Sequence, residues 1–259
     1  MNTDSHFTIG KSHKVNQDYA SHGSNFVLIS DGCSSSKNTD FGSRLLIKTY
    51  KILINDDNSS FFDALSKSRN ITDDLKISPE ALDATLLSIK VDNEKYYLQV
   101  SGDGFFVKVM NDGMIEYKSF SYPSGAPYYL NYATDSKRQA KYKELYGAKL
   151  IIKTYLENNL WNQEEMEDFF IYRDEGSLKN IKYLAVMTDG VASFMKRDNT
   201  ETSKSSVSVS EYDIIKELVG YKNHNGEFVK RRMQAFAKYC QINSWENIDD
   251  YSVGAIYIS

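Results

Sequence analysis

Several aspartates stand where the chain enters or leaves an apolar run: Asp18 after "VNQ", Asp31 after "NFVLIS", Asp103 in "LQVSGDGFF", Asp189 after "KYLAVMT", and Asp249 with Asp250 before "YSVGAIYI". Carboxylates delivered from neighbouring strand ends suit hard cations such as Mg²⁺ and Mn²⁺, which take oxygen ligands and retain waters. Gly32 and Gly190 directly follow two of these acids, and a glycine there lets the backbone come close enough for its carbonyl to ligate or for a phosphate to enter. A single Asp–Gly also reads as a hairpin turn, but that reading needs a partner strand within a few residues. After Gly32 the chain runs "CSSSKNTDFGSRLLIKTYKILIND", in which Phe41, Leu45, Leu46, Thr49, Ile52 and Leu53 recur at the spacing of one helix face. No partner strand follows Asp31. Acids that gather at strand ends and avoid helix middles favour a shared cation site over isolated turns.

The elements that must position these acids are read from β-branched and aromatic runs. Strands are expected at 24–30, 84–91, 95–101, 105–110, 182–188 and 252–258. "DNE" joins the second to the third and "NDG" at 111 to 113 closes another turn, so the sheet is largely antiparallel. Helical spacing is expected at about 40–55, 59–70, 137–159, 163–170, 208–220 and 226–243. Strands and helices in blocks give an α+β fold class with layered architecture. The Tyr-rich stretch 121–180 reads as a variable, flap-like insertion that faces substrate.

A chain of 259 residues with 41% hydrophobic content supports one sizeable core, and no Pro- or Ser/Gly-rich linker divides it, so residues 1–259 are expected to form one domain. With 31 basic and 35 acidic residues, the net charge of −4 carries no nucleic-acid footprint. No apolar run reaches the ~20 residues that span a bilayer, and no signal-type segment opens the chain. Cys33 and Cys240 lack CxxC spacing, which argues against a disulfide framework or a thiolate zinc site. The expectation is a cytoplasmic monomer, without nucleic-acid or membrane partners. None of GxSxG, GxGxxG, Walker A or HExxH occurs. Cys33 lacks a visible base partner and is read as a small packing residue. An aspartyl nucleophile of the haloacid-dehalogenase kind needs Asp–x–Asp, and Cys33 fills the second position.

In order along the chain, "NQD", "VLISDG", "ATLLSIKV" with "VSGDG", "LAVMTDGV" and "NIDDYSVGAI" resemble the metal-dependent Ser/Thr protein phosphatases of the type-2C (PPM) family, bacterial-type subgroup. The resemblance runs from about residue 9 to 258, with 121–180 the least matched. It implies a four-layer α-β-β-α sandwich of two antiparallel sheets flanked by helices, holding two Mg²⁺ or Mn²⁺ ions and a weaker third. It assigns catalytic roles to Asp31, Asp189 and Asp249, and metal contacts to Asp18, Asp31, Gly32, Asp103, Asp189 and Asp249. It further implies that a hydroxide bridging two metals attacks the phosphorus of phosphoserine or phosphothreonine on a protein, a Ser/Thr kinase or its target. Three positions depart from the family. His13 stands near the place of a phosphate-clamping arginine, and Gln17 precedes Asp18 in place of a glutamate. Ser193 replaces an acid of the third-metal site. The missing arginine keeps a second class open, a catalytically weak or silent regulatory or binding module on the same fold.

Overall fold

The apolar runs that end at Asp31 and Asp189 are continuous because both faces of their strands are covered. In the computed structural model, which describes residues 1–56, 60–197 and 206–258, two antiparallel sheets stack face to face. The larger has the order β1 (Asn2–Thr8), β15 (Tyr251–Tyr257), β11 (Ile181–Met187), β6 (Gly104–Met110), β7 (Ile115–Ser121), β8 (Lys149–Leu156) and β9 (Asn159–Glu167). The smaller runs β10 (Tyr172–Ser177), β5 (Lys95–Ser101), β4 (Leu86–Asp92), β3 (Phe26–Ser30) and β2 (Tyr19–His22). A short third sheet joins β13 (Ser206–Ser208), β12 (Phe194–Arg197) and β14 (Trp245–Asn247).

The period-two alternation of a strand sorts its side chains between layers. On β3, Val27 and Ile29 point into the core between the sheets, while Phe26 and Leu28 pack on α1 (Thr39–Leu53) and α2 (Phe61–Asp74). On β11, Leu184 and Val186 meet the inter-sheet core, while Tyr183, Ala185 and Met187 face α4 (Glu211–Leu218) and α5 (Phe228–Asn243). The layers are therefore helix, sheet, sheet, helix, as expected from the resemblance. Among the described residues no helix is long and apolar enough to cross a membrane.

The expected helices at 40–55, 208–220 and 226–243 correspond to α1, α4 and α5. The one at 59–70 appears as α2, its first residue lying outside the described residues. A capping box starts α2: the Ser60 amide bonds the Asp63 carboxylate at 2.7 Å. The expectation of helix over 137–159 and 163–170 is corrected. α3 (Ser136–Tyr146) stops at Gly147, whose φ of 62° takes the left-handed side that an L residue avoids. "KLIIKTYL" then forms β8, with Leu150 and Ile152 in the inter-sheet core, and β9 pairs with it as an exposed edge. Periodicity missed β9 because an edge strand with both faces in water needs no alternation.

Register brings the acid-bearing ends together. Tyr19 pairs with Ser30, and Met187 pairs with both Phe105 and Val253. The start of β2, the end of β3, the β5–β6 turn, the end of β11 and the start of β15 thus share one end of the sandwich.

Candidate active site

Asp31 leaves β3 with its backbone clamped on both sides: its amide donates to Thr85 Oγ1 at 2.9 Å and its carbonyl accepts from the Thr85 amide at 2.8 Å. Asp189 opens a short 3₁₀ turn beyond β11. Asp103 sits in the turn between β5 and β6, and Asp249 precedes β15. All four line one cavity of about 340 Å³, together with His13, Gly32, Cys33 and the tyrosines 129, 132, 142 and 146. Asp18 is fully buried behind them, its Oδ2 accepting from Thr188 Oγ1 at 2.7 Å. Thr188 is held in turn by the Ser252 amide at 2.8 Å, so two neighbouring strands of the larger sheet, β11 and β15, fix this carboxylate.

Gly190 follows from backbone crowding. A Cβ there would fall 1.7 Å from the Asp250 carbonyl oxygen, so any side chain would push Asp189 and the 249–250 segment apart. Ser193, where the family places an acid, has a structural job: its hydroxyl donates to the Gly190 carbonyl at 2.7 Å and accepts from the Asp249 amide at 3.0 Å.

The electrostatics are those of several acids buried close together. Burial raises Asp18 to about 7, partly offset by the Thr188 hydrogen bond. Burial, then repulsion from Asp249, raises Asp189 to about 6. Asp31 rises well above the ordinary carboxylate range through burial and the neighbouring Asp18 and Asp189, and Asp103 through burial and Asp189. Asp18 Oδ1 and Asp103 Oδ1 are buried with no hydrogen-bond partner. Buried acceptors left unpaired are costly, and a bound cation is the species that would satisfy them. The donor set, all oxygen and all acidic, fits a hard divalent ion. Among the described residues no three His, Cys, Asp or Glu side chains are already arranged to hold one.

His13 borders the cavity with Nδ1 3.0 Å from Asp250 Oδ2 and 3.4 Å from Asp249 Oδ1. Cys33 is not the packing residue that the sequence suggested: it is partly exposed and lines the cavity. Burial pushes its thiol up, but hydrogen bonds from Ser35 and Tyr129 outweigh that and hold it below the usual value.

Sequence reasoning gave no role to Asp250, the buried anchor of this end. Its carboxylate accepts from the Gly10 amide at 2.7 Å and the Gln17 amide at 2.6 Å, tying the loop that carries His13 and Asp18 to β15. Only its place beside Asp249 could have flagged it. Asp250→Ala would strand two buried amides, each bond to a charged acceptor being worth about 1.5–3 kcal/mol. A loss of about 3 kcal/mol by urea denaturation is expected, with Asp250→Asn recovering part; a loss below about 1 kcal/mol would show that the loop is held elsewhere.

A family profile described as protein phosphatase 2C matches residues 9–236. No curated protein matches the sequence. The fold is similar to several solved structures at low identity. One is the catalytic domain of the serine/threonine protein phosphatase PstP in complex with two manganese ions: 14% identity, 99% of this chain and 98% of that one, TM-score 0.53. Another is the PPM Ser-Thr phosphatase MsPP from Mycobacterium smegmatis, in complex with cacodylate: 12% identity, 100% and 99% covered, TM-score 0.57. A third is the serine/threonine phosphatase Stp1 from Staphylococcus aureus: 13% identity, 100% and 96% covered, TM-score 0.56.

Proposed function

This chain belongs to the protein phosphatase 2C family of serine/threonine phosphatases, and we propose that it hydrolyses phosphoserine and phosphothreonine on proteins with two divalent ions held by its strand-end aspartates. One observation carries the reading: Asp31, Asp103, Asp189 and Asp249 open on a single cavity, with unpaired buried acceptors on Asp18 and Asp103. Asp31, Asp189 and Asp249, with the Gly32 carbonyl, would hold the two ions; Asp18 would orient their waters and Asp103 would serve a weaker third. Mg²⁺ or Mn²⁺ bound there would neutralise charge on the phosphoryl oxygens and lower the pKa of the attacking water. The likeness to a structure holding two manganese ions supports that count.

The protein's own groups divide the remaining work. Thr188 fixes Asp18 through its Oδ2, which leaves Oδ1 on the side of Asp31. Ser193 fixes Asp249 through the backbone and, being neutral, weakens any third-ion site. His13 lines the cavity and would donate one hydrogen bond to a phosphate entering it. Its imidazole is a single donor that is charged only while protonated, whereas an arginine would be permanently charged and bidentate.

The test is p-nitrophenyl phosphate hydrolysis with Mn²⁺, with Mg²⁺ and with chelator. Turnover that requires either metal is expected, and flat activity throughout would favour the silent binding module. His13→Arg should lower KM by about tenfold, the scale of one added charge-assisted hydrogen bond. An unchanged KM would remove His13 from the substrate site.

A further inference from the structure

We infer that the tyrosine wall of this cavity, formed by Tyr132 and Tyr146, is a subsite for an aromatic side chain adjacent to the phosphorylated residue of the protein substrate. The inference rests on the phosphatase reading of the cavity and adds to it the class of sequence that is accepted.

Tyr146, at the end of α3, is 48% exposed, and Tyr132 is partly exposed, yet both border the same cavity as Asp31 and Asp189. Both are backed by one buried ring: Tyr142 lies 5.3 Å from Tyr132 and 5.3 Å from Tyr146, at tilts of 41° and 55°. Tyr142 is itself anchored 4.9 Å from the fully buried Tyr128. The outer rings are thus supported from the core while keeping surface towards the cavity, and among the described residues Tyr146 has no ring neighbour other than Tyr142.

The wall is also fixed relative to the acids. Asp135 caps α3 by accepting from the Lys137 and Arg138 amides at 3.0 and 3.1 Å. Arg138 then reaches the buried Asp83 at 2.6 Å, and Asp83 holds Ser36 at 3.0 Å, in the loop that continues from Asp31. A preformed aromatic surface loses little entropy on binding, which is the condition under which stacking yields affinity.

Charge selects the occupant. A basic side chain stacked on Tyr132 would meet the Arg138 guanidinium, already 4.7 Å over that ring. An acidic one would meet the carboxylates across the cavity. A neutral aromatic ring meets neither repulsion and can stack on or edge into both tyrosines.

The test uses phosphothreonine peptides identical except for Phe, Gly, Lys or Glu beside the phosphorylated residue, with Mn²⁺. The Phe peptide is expected to exceed the Gly peptide by about tenfold in kcat/KM, the scale of one aromatic contact with its buried area. Tyr146→Ala should bring that ratio close to one, while Tyr146→Phe should keep it; because Tyr146 is exposed, neither change threatens folding, and thermal melts verify this. A Phe/Gly ratio near one in the unaltered protein, or a ratio that survives Tyr146→Ala combined with Tyr132→Ala, would overturn the subsite. Metal-dependent turnover of none of the peptides and not of p-nitrophenyl phosphate would instead overturn the phosphatase reading beneath it.

Discussion

Asp31→Ala is expected to abolish metal-dependent turnover while raising the thermal stability of the metal-free protein. The two effects share one cause. Asp31 is raised well above the ordinary carboxylate range by burial and by its neighbours Asp18 and Asp189, so its removal takes away the cost of burying that acid beside them. Functional sites are commonly destabilising in this way. The backbone that Asp31 contributes is untouched, because its bonds to Thr85 run through the amide and carbonyl. Loss of a group that merely supports a metal ligand costs roughly 10–100-fold. A residue asked to contact both ions should cost more, about 10³-fold or beyond in kcat/KM. Asp249→Ala should be milder, since the Asp249 side chain is 43% exposed and is proposed to contact one ion only. Retained Mn²⁺-dependent activity in Asp31→Ala would remove the residue from the metal site, and a lowered melting temperature in chelator would refute that cost.

The part of this architecture that was legible in the sequence is the part governed by burial. β3 and β11 are covered on both faces, so they read as unbroken apolar runs, and the acid after each run had to sit at the sheet's end. The site's remaining parts depend on contacts between distant segments, which no local pattern encodes. Asp250 is the clearest case: it bonds the amides of Gly10 and Gln17, 240 and 233 residues away, and nothing around it separates it from Asp249. The strand β9 was read as helix because its residues are exposed on both faces, leaving no periodic signal to oppose a helical reading. Tyrosine density in 121–180 was visible, but which rings turn to the cavity is set by the Asp83 network that docks α3.

The metal-free protein should lose stability as pH rises from about 4 to about 7, the reverse of the usual carboxylate behaviour. In the unfolded chain Asp18 and Asp189 release their protons near ~4. In the fold they hold them until about 7 and about 6, chiefly because burial penalises the charged form. Between those values the folded state binds more protons than the unfolded, so the free energy of unfolding falls with pH and the contribution is gone above the folded values. A melting temperature in chelator that drops by several degrees across this window is expected, since about 1 kcal/mol moves a domain of this size by about 2–4 °C. Asp18→Asn cannot ionise and should flatten the drop. Divalent metal should act with the opposite sign, because ligation displaces the same protons: affinity for Mn²⁺ should climb with pH through the interval from about 6 to about 7, and calorimetry in buffers of different ionisation enthalpy should detect proton release. Stability in chelator that stayed level or rose with pH would mean that these carboxylates are already ionised in the fold.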